Sequence, residues 1–165
     1  MKGLSSSRLV MGVILGIEST AHTFSIGGVL ADGETISSSS ALYRPKEGGI
    51  HPREAADHHS VISGDKIKDF IEGNNIPLEQ IDAIAFSQGP GLGPCLRVGA
   101  SVARSLSDKL GVPLIGVNHC VAHIEIGRLQ TGCDDPVLLY VSGGNTQVIA
   151  RKGGRYRVIG ETLDI

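Results

Sequence analysis

Aromatic residues and cysteines are scarce in this sequence. Phe, Tyr and Trp together make up 4% of the 165 residues, tryptophan is absent, and the three cysteines show no CxxC spacing. This pattern does not indicate a disulfide framework, and the thiols are expected to be reduced. No hydrophobic run is long enough to span a membrane, and the polar lead from Met1 to Met11 lacks the pattern of a signal peptide. We expect a soluble cytoplasmic protein with no membrane association.

An excess of either charge is also lacking. The net charge is -2, so there is no global basic surface, and a nucleic-acid partner would need a local patch or a second subunit. With 41% hydrophobic and 19% charged residues, the chain can build a core. Its 23 glycines show no three-residue period, which excludes collagen and favours tight turns close to a ligand.

Residues 13–42 predict a three-stranded antiparallel meander, since short apolar runs alternate with small polar turns. The runs are residues 13–17, 24–30 and 34–42. A loop containing Gly48 and Gly49 follows. Apolar residues at helical spacing then predict a helix from about Arg53 to about Glu72.

The next segment alternates strands with helices. The predicted elements are a strand at 81–86, a glycine–proline loop at 88–94, a helix at 96–110, a strand at 113–117 and a helix at about 119–130. This alternation implies a parallel sheet covered by helices.

The last segment repeats the pattern of the opening. Strands are predicted at residues 137–141, 147–150 and from 156, separated by a small polar turn and a glycine turn. Two such meanders suggest an internal duplication. The second copy has no covering helix within the sequence, so an apolar sheet face is expected to be exposed. The chain is therefore expected to be shorter than its complete fold.

The polar turn of the second meander has the composition of a phosphate site. Two glycines, Gly143 and Gly144, expose backbone N–H groups, and Ser142, Asn145 and Thr146 add side-chain donors. The polar turn of the first meander, residues 18–23, could face it across a cleft. Taken alone, each turn is also compatible with an ordinary hairpin.

His119 and His123 lie four residues apart on a predicted helix, so their side chains project from one face and could share a metal ion. The alternative is one surface histidine and one core histidine. A metalloprotease is disfavoured, because the H-E-x-x-H motif needs a general-base glutamate directly after the first histidine. Cys120 stands at that position.

Among the other histidines, His22 in the first polar turn is the better candidate for a ligand contact. His58 and His59 are adjacent on a predicted helix and point in different directions, which favours surface or packing roles. The glycine–proline loop at 88–94 lies between a strand and a helix, where α/β folds place ligands. A tight strand-to-helix turn explains that loop equally well.

Six motifs resemble, in order, those of the TsaD/Gcp/Kae family in its archaeal form. They are GIESTAHT (16–23), GGIHPREAA (48–56), GPGLGPCLR (89–97), NHCVAHIE (118–125), YVSGGNTQ (140–147) and GETLD (160–164). Six motifs in this order are highly specific, whereas one alone would not be. The resemblance covers the chain from about Val13 onward.

The resemblance implies an α/β, actin-like and hexokinase-like (ASKHA) ATPase fold, with the first domain complete and the second only begun. The expected divisions are a lead at 1–12, a first actin-like domain at 13–135 and the start of a second at 136–165. The implied enzyme is a tRNA N6-adenosine threonylcarbamoyltransferase, acting from threonylcarbamoyl-AMP on the adenosine beside the anticodon of ANN-decoding tRNAs. The family's second half is expected beyond Ile165, so the present chain is expected to be inactive by itself.

Carried onto this sequence, the resemblance makes His119, His123 and Tyr140 ligands of one Fe²⁺ or Zn²⁺ ion per subunit. ATP or threonylcarbamoyl-AMP would contact Tyr140, Val141, Ser142, Gly143, Gly144 and Asn145 at the second turn, and Glu18, Ser19, Thr20 and His22 at the first. No catalytic base is indicated. The expected partners are tRNA and a KEOPS-like complex with a small kinase, and no secreted substrate is expected.

Other functions stay open at this point. A small-molecule kinase of the same fold would use the two turns but leave the two histidines idle. A non-enzymatic module would bind ATP as a switch inside a complex. The third is the O-sialoglycoprotein endopeptidase activity under which the family was first described, and Cys120 disfavours it.

Overall fold

The computed structural model describes residues 12–141 and 145–163. In chain order the elements are β1 (Val13–Glu18), β2 (Thr23–Leu30), β3 (Thr35–Leu42), α1 (Pro52–Gly73), a 3₁₀ turn (Leu78–Gln80), β4 (Ile81–Gly89), α2 (Gly93–Leu110), β5 (Leu114–Asn118), α3 (His119–Thr131), β6 (Val137–Val141), β7 (Asn145–Lys152) and β8 (Arg155–Leu163). Every predicted strand and helix is confirmed. The 3₁₀ turn was not predicted.

The first compact unit, which ends at Asn118, is built on a five-stranded sheet. Its strand order is β3-β2-β1-β4-β5. β1 pairs antiparallel with β2 and parallel with β4, which confirms both the predicted meander and the predicted parallel sheet. Because β1 and β4 are parallel neighbours, their carboxyl ends lie at the same edge of the sheet.

The core of this unit lies between the sheet and helices α1 and α2. Alternate residues of β1 and β2 are buried, as expected for strands with one covered face. Leu15, Phe24 and Ile26 point into this core, where Phe70 of α1 and Ala103 of α2 pack against them. The helices are therefore fixed to the same sheet that carries the first polar turn.

Small residues bring the starts of α1 and α2 together. Ala55 and Ala56 of α1 and Cys95 of α2 form a separate buried cluster. Pro52 occupies the first turn of α1, where its missing N–H costs nothing. Two of the six family motifs thus pack directly on each other.

The second compact unit begins at His119. Its sheet has the order β6-β7-β8, antiparallel throughout, which confirms the second meander. The predicted domain boundary, between residues 135 and 136, lies after α3, whereas the compact units divide before it. The reason is that Cys120 and Ile124 of α3 pack against Ile149 of β7. The boundary between actin-like domains in the family sense stays a prediction.

One face of β6 is apolar and exposed. Val137, Leu139 and Val141 alternate along the strand with exposed fractions of 66%, 62% and 68%. The open apolar face expected from the sequence is present. Within the described part of the chain, no helix has the length and apolar character needed to cross a membrane.

Candidate nucleotide and metal sites

Glu18 closes the first polar turn from the end of β1. Its Oε1 accepts the Thr20 N–H at 2.6 Å, and its Oε2 accepts a hydrogen bond from the Ser87 hydroxyl at the end of β4. Ser19 and Thr20 are almost fully buried, with exposed fractions of 1% and 6%. Ala21 and His22 are half-buried and form the more accessible part of the turn.

Three consecutive carbonyl groups of this turn are bonded to three different elements. The Thr20 carbonyl accepts the Leu92 N–H of the glycine–proline loop at 2.6 Å. The Ala21 carbonyl lies 2.9 Å from Nε2 of His59 on α1. The His22 carbonyl accepts the Tyr43 N–H, just after β3, at 2.7 Å. These three hydrogen bonds therefore fix the turn to the glycine–proline loop, to α1 and to the end of β3.

The glycine–proline loop and helix α2 pack against the turn so closely that side chains at Gly91 and Gly99 would not fit. A Cβ on Gly91 would lie 2.5 Å from the Thr20 carbonyl oxygen, and a Cβ on Gly99 would lie 2.0 Å from Oγ of Ser19. Backbone contact at this distance needs glycine. The structure therefore gives the loop a packing role, and a direct ligand contact by the loop stays a prediction.

A polar cluster on α1 lies behind the turn. His59 is fully buried, and burial is the main cause that lowers its pKa. His58 is half-buried, and its ring contacts that of Tyr43, with centroids 5.7 Å apart. The Tyr43 hydroxyl donates to the Glu54 carboxylate, and this bond raises the tyrosine pKa. The predicted packing role fits His59, whereas His58 belongs to the rim of the cluster.

The second polar turn joins β6 to β7. Tyr140 pairs with Gln147 and Val141 with Thr146, so the chain reverses between them. Ser142, Gly143, Gly144 and the side chain of Asn145 lie outside the described residues, so the phosphate role predicted for them stays a prediction. Tyr140 is half-buried and Val141 is exposed.

Helix α3 brings the two histidines of the predicted metal site together. Nε2 of His119 and Nε2 of His123 are 3.2 Å apart. The Tyr140 ring lies beside both, with centroid distances of 6.2 Å to His119 and 5.8 Å to His123. All three residues lie in the second compact unit, so their proximity is set by the packing of α3 on β6 and β7.

The histidine pair fits a metal ion. With metal–nitrogen bonds of about 2.0–2.1 Å and a tetrahedral angle, two ligand nitrogens lie roughly 3.3 Å apart. Across residues 12–141 and 145–163, no three His, Cys, Asp or Glu side chains form a metal cluster. A third ligand to a metal ion would therefore come from another residue type, such as Tyr140, or from outside the described residues. Cys120 is buried against Ile124 and Ile149, so it is a packing residue. Burial also raises the pKa of its thiol.

Sequence reasoning missed three residues around the first turn. Ser87 bonds Glu18, Tyr43 bonds the His22 carbonyl through its backbone, and His59 bonds the Ala21 carbonyl. The position of Ser87 carried a usable signal, since it ends the strand parallel to β1. The Tyr43 bond continues the register of the predicted meander, in which Thr23 pairs with Leu42. The contact of His59 depends on how α1 crosses the sheet, which the sequence pattern does not state.

A solved structure shares this fold. YeaZ from Pseudomonas aeruginosa aligns with a TM-score of 0.63 and 17% identity over 93% of this chain and 66% of that one. At this identity the likeness bears on the fold alone. Together with the sheet order, it supports the predicted α/β ASKHA architecture, present here in part.

Sequence comparison gives closer relatives. The tRNA N6-adenosine threonylcarbamoyltransferase of Archaeoglobus fulgidus is 58% identical over 153 residues, which cover 93% of this chain and 46% of the relative. A probable bifunctional tRNA threonylcarbamoyladenosine biosynthesis protein of Methanocaldococcus jannaschii is 56% identical over 93% of this chain and 28% of its own length. The chain spans about half the length of the first of these relatives.

The family comparison covers most of the chain. The model of TsaD, tRNA N6-adenosine threonylcarbamoyltransferase, matches residues 33–165. That range contains α1, the glycine–proline loop, the histidine pair and the second meander, which carry five of the six motifs. The chain therefore belongs to the TsaD family.

Proposed function

We propose that this chain supplies the N-terminal part of a tRNA N6-adenosine threonylcarbamoyltransferase. The enzyme transfers a threonylcarbamoyl group from threonylcarbamoyl-AMP to the adenosine beside the anticodon in tRNAs that read codons beginning with A. The observation that carries this proposal is the 58% identity, over 93% of the chain, to a relative named for the transferase activity. Since the chain spans about half of that relative, the activity belongs to the longer protein.

The metal dependence rests on the histidine pair. His119 and His123 would hold an Fe²⁺ or Zn²⁺ ion through Nε2, and the phenolic oxygen of Tyr140, whose ring lies beside both, is the proposed further ligand. Such an ion, when bound, would act as a Lewis acid that polarises a carbonyl group. The 3.2 Å separation of the two nitrogens supports this assignment.

The residues of this chain would bind and orient the adenylate. In the reaction the N6 amine of adenine forms a bond to the carbamoyl carbon, the bond from that carbon to the phosphate oxygen breaks, AMP leaves and the amine loses a proton. Backbone N–H groups of a polar turn would donate to the phosphate of the leaving AMP, and each of the two turns is a candidate for that role within its own unit. Neutral adenine amine is a weak nucleophile, so orientation of the two substrates must supply much of the rate.

The partners follow from the substrate and from the chain's charge. A net charge of -2 over these 165 residues gives no broad basic surface for tRNA, so a local patch or a second subunit would supply positive charge. We place the protein in a KEOPS-like complex that includes a small kinase. The relative whose name states two functions in one chain supports a second activity working with this one. A tRNA substrate places the reaction in the cytoplasm.

The transfer reaction itself tests the proposal. The full-length gene product, with its partner subunits, is incubated with threonine, bicarbonate, ATP, the enzyme that makes the adenylate and unmodified tRNA. We expect threonylcarbamoyladenosine in the digested tRNA, detected by mass spectrometry. Replacing His119 and His123 by Ala together should remove both the bound metal, measured by elemental analysis, and the product.

A matched control lies on the same helix. Gln130 is exposed in the last turn of α3, seven residues beyond His123, so Gln130→Ala should leave metal content and product unchanged. Product formation by the double histidine variant would reject the metal assignment. Absence of product in the unaltered protein, with ATP still hydrolysed, would instead favour a kinase or an ATP-dependent switch of the same fold.

A further inference from the structure

His59 is the only fully buried histidine among the residues that the structure describes. It sits in the middle of α1, with an exposed fraction of 0%, and its ring contacts Phe24 with centroids 5.8 Å apart. An imidazole in such a place is costly unless its polar atoms find partners. A leucine would pack here without that cost, so the polar ring calls for an explanation.

The hydrogen bonds of His59 fix its tautomer. Nε2 lies 2.9 Å from the carbonyl oxygen of Ala21. A carbonyl oxygen only accepts, so Nε2 must carry the proton and donate it. Nδ1 is then the unprotonated nitrogen and lies 3.5 Å from Nδ1 of His58. The neutral ring thus directs one N–H group at one carbonyl group of the first polar turn.

This bond determines the direction of the next N–H group along the chain. Ala21 C=O and His22 N–H belong to the same peptide unit, which is planar and trans, so the two groups point in opposite directions. With its carbonyl held by His59, this peptide directs the His22 N–H away from α1. The neighbouring carbonyls of Thr20 and His22 are likewise held, by Leu92 and Tyr43, which orients the N–H groups of the flanking peptides.

We propose that His59 is a positioning residue, which acts through the Ala21 carbonyl to direct the His22 N–H towards a phosphate group of the bound nucleotide. Successive N–H groups held in this way form an anion-binding concavity. The proposal rests on the proposed function, in which the first turn contacts ATP or the adenylate. His59 does not touch the ligand in this arrangement, and it contributes by holding a donor that does.

Two variants of matched length isolate the hydrogen bond. His59→Gln keeps an amide N–H at a similar distance from the backbone, whereas His59→Met has a similar length and no donor. In the full-length protein we expect His59→Met to weaken ATP binding about tenfold, as for the loss of one donor to a charged group. His59→Gln should bind ATP within about threefold of the unaltered protein on the same grounds. Both dissociation constants are measured by isothermal titration calorimetry.

Adenosine distinguishes positioning of a phosphate donor from general damage to the site. It lacks phosphate, so its affinity should be the same in both variants. His51→Met is the control for substitution of another histidine of the same helix, because His51 at its N-terminus is exposed and its side chain makes no capping bond to α1. It should bind ATP and adenosine like the unaltered protein.

Amide hydrogen exchange of residues 20–23 tests the positioning without any ligand. Exchange should be faster in His59→Met and unchanged in His59→Gln. The proposal is overturned if exchange is the same in all forms, if the affinities for ATP and adenosine are weakened equally, or if His59→Gln behaves like His59→Met.

If the unaltered protein binds no ATP, the nucleotide role of the turn fails, and the exchange result alone then decides whether His59 positions the turn. If His59→Met does not fold, His59→Asn, whose amide is too short to reach Ala21, takes its place with the same expected results.

Discussion

Backbone groups, more than side chains, define the first polar turn at the scale of single residues. Its carbonyls at Thr20, Ala21 and His22 are each bonded to a different element, and the Glu18 carboxylate caps the Thr20 N–H. Such bonds are worth roughly 1 kcal/mol each in net stability, but leaving a buried partner unpaired costs more. The residues that hold the turn are therefore expected to be less tolerant of substitution than those at its exposed edge.

The buried imidazole predicts a pH dependence of stability. The pKa of His59 is lowered from the ordinary value of 6.5, mainly by burial, with His58 and His22 adding to the effect and the Ala21 bond and Glu18 opposing it. A lowered pKa means that the unfolded chain binds the proton first. The free energy of unfolding should therefore be fully present above about pH 6.5 and fall as the pH drops from there towards the folded-state pKa.

Urea unfolding of the full-length protein between pH 7.5 and 5 measures this effect. The loss of stability on acidification should be smaller in His59→Gln, because glutamine does not titrate. His58→Gln provides the comparison for a neighbouring histidine that is half-buried. An equal pH dependence in the unaltered protein and in His59→Gln would show that another group causes it.

The histidines show what sequence can and cannot predict at this scale. His119 and His123 could be paired from their spacing, since the geometry of one helix places residues four apart side by side. Glu18 and Ser87 could be paired from strand direction, because two parallel neighbours end at the same edge. The bond from His59 to Ala21 joins residues 38 apart on different elements and depends on the packing of α1, which local patterns do not encode.

At the scale of elements, three family motifs pack on one another, and the first turn is one of them. The glycine–proline loop and the start of α2 contact it directly, and the start of α1 packs against the start of α2 through Ala55, Ala56 and Cys95. The motif residues of this unit therefore pack the elements against one another, in addition to any contact with a ligand.

Substitution of Gly99 tests that packing. A Cβ at Gly99 would lie 2.0 Å from Oγ of Ser19, so Gly99→Ala should force α2 away from the turn and destabilise the protein by about 1–3 kcal/mol. Gly64 of α1 is the matched control, since it is helical, exposed and has no atom within 4 Å of a Cβ position. Gly64→Ala should be neutral or stabilise by up to about 1 kcal/mol, through helix propensity alone. Both are measured by urea unfolding, and equal effects at the two sites would contradict a close contact at Gly99.

Element type and order could be predicted from the sequence because apolar residues recur at intervals of two or of three to four along nearly every segment. The 3₁₀ turn at Leu78–Gln80 was not predicted, because it is too short to show a hydrophobic period. The packing of α3 on the second sheet was not predicted either. It depends on Cys120 and Ile124 packing against Ile149, and these residues look equally suited to either sheet.

At the scale of the whole molecule, the chain carries one sheet covered by two helices and a second sheet covered on one side by α3. The curated relatives it matches extend well beyond the matched part. The proposed metal ligands His119, His123 and Tyr140 belong to the second unit, and the anchored turn belongs to the first. Each candidate site can therefore be probed by variants within its own unit, and their energetic coupling can be measured by combining those variants.

The exposed face of β6 makes a last prediction about the chain of 165 residues expressed by itself. Val137, Leu139 and Val141 form an apolar row on a strand at the edge of its sheet, an arrangement that promotes association. We expect the chain to self-associate with increasing concentration, and Leu139→Lys to reduce this by placing a charge in the row. Val61 of α1 is even more exposed, at 79%, but lies outside that row, so Val61→Lys should change little. Light scattering across a concentration series compares the three forms. Equal reduction by both substitutions would mean that added net charge, and not the apolar face of β6, controls association.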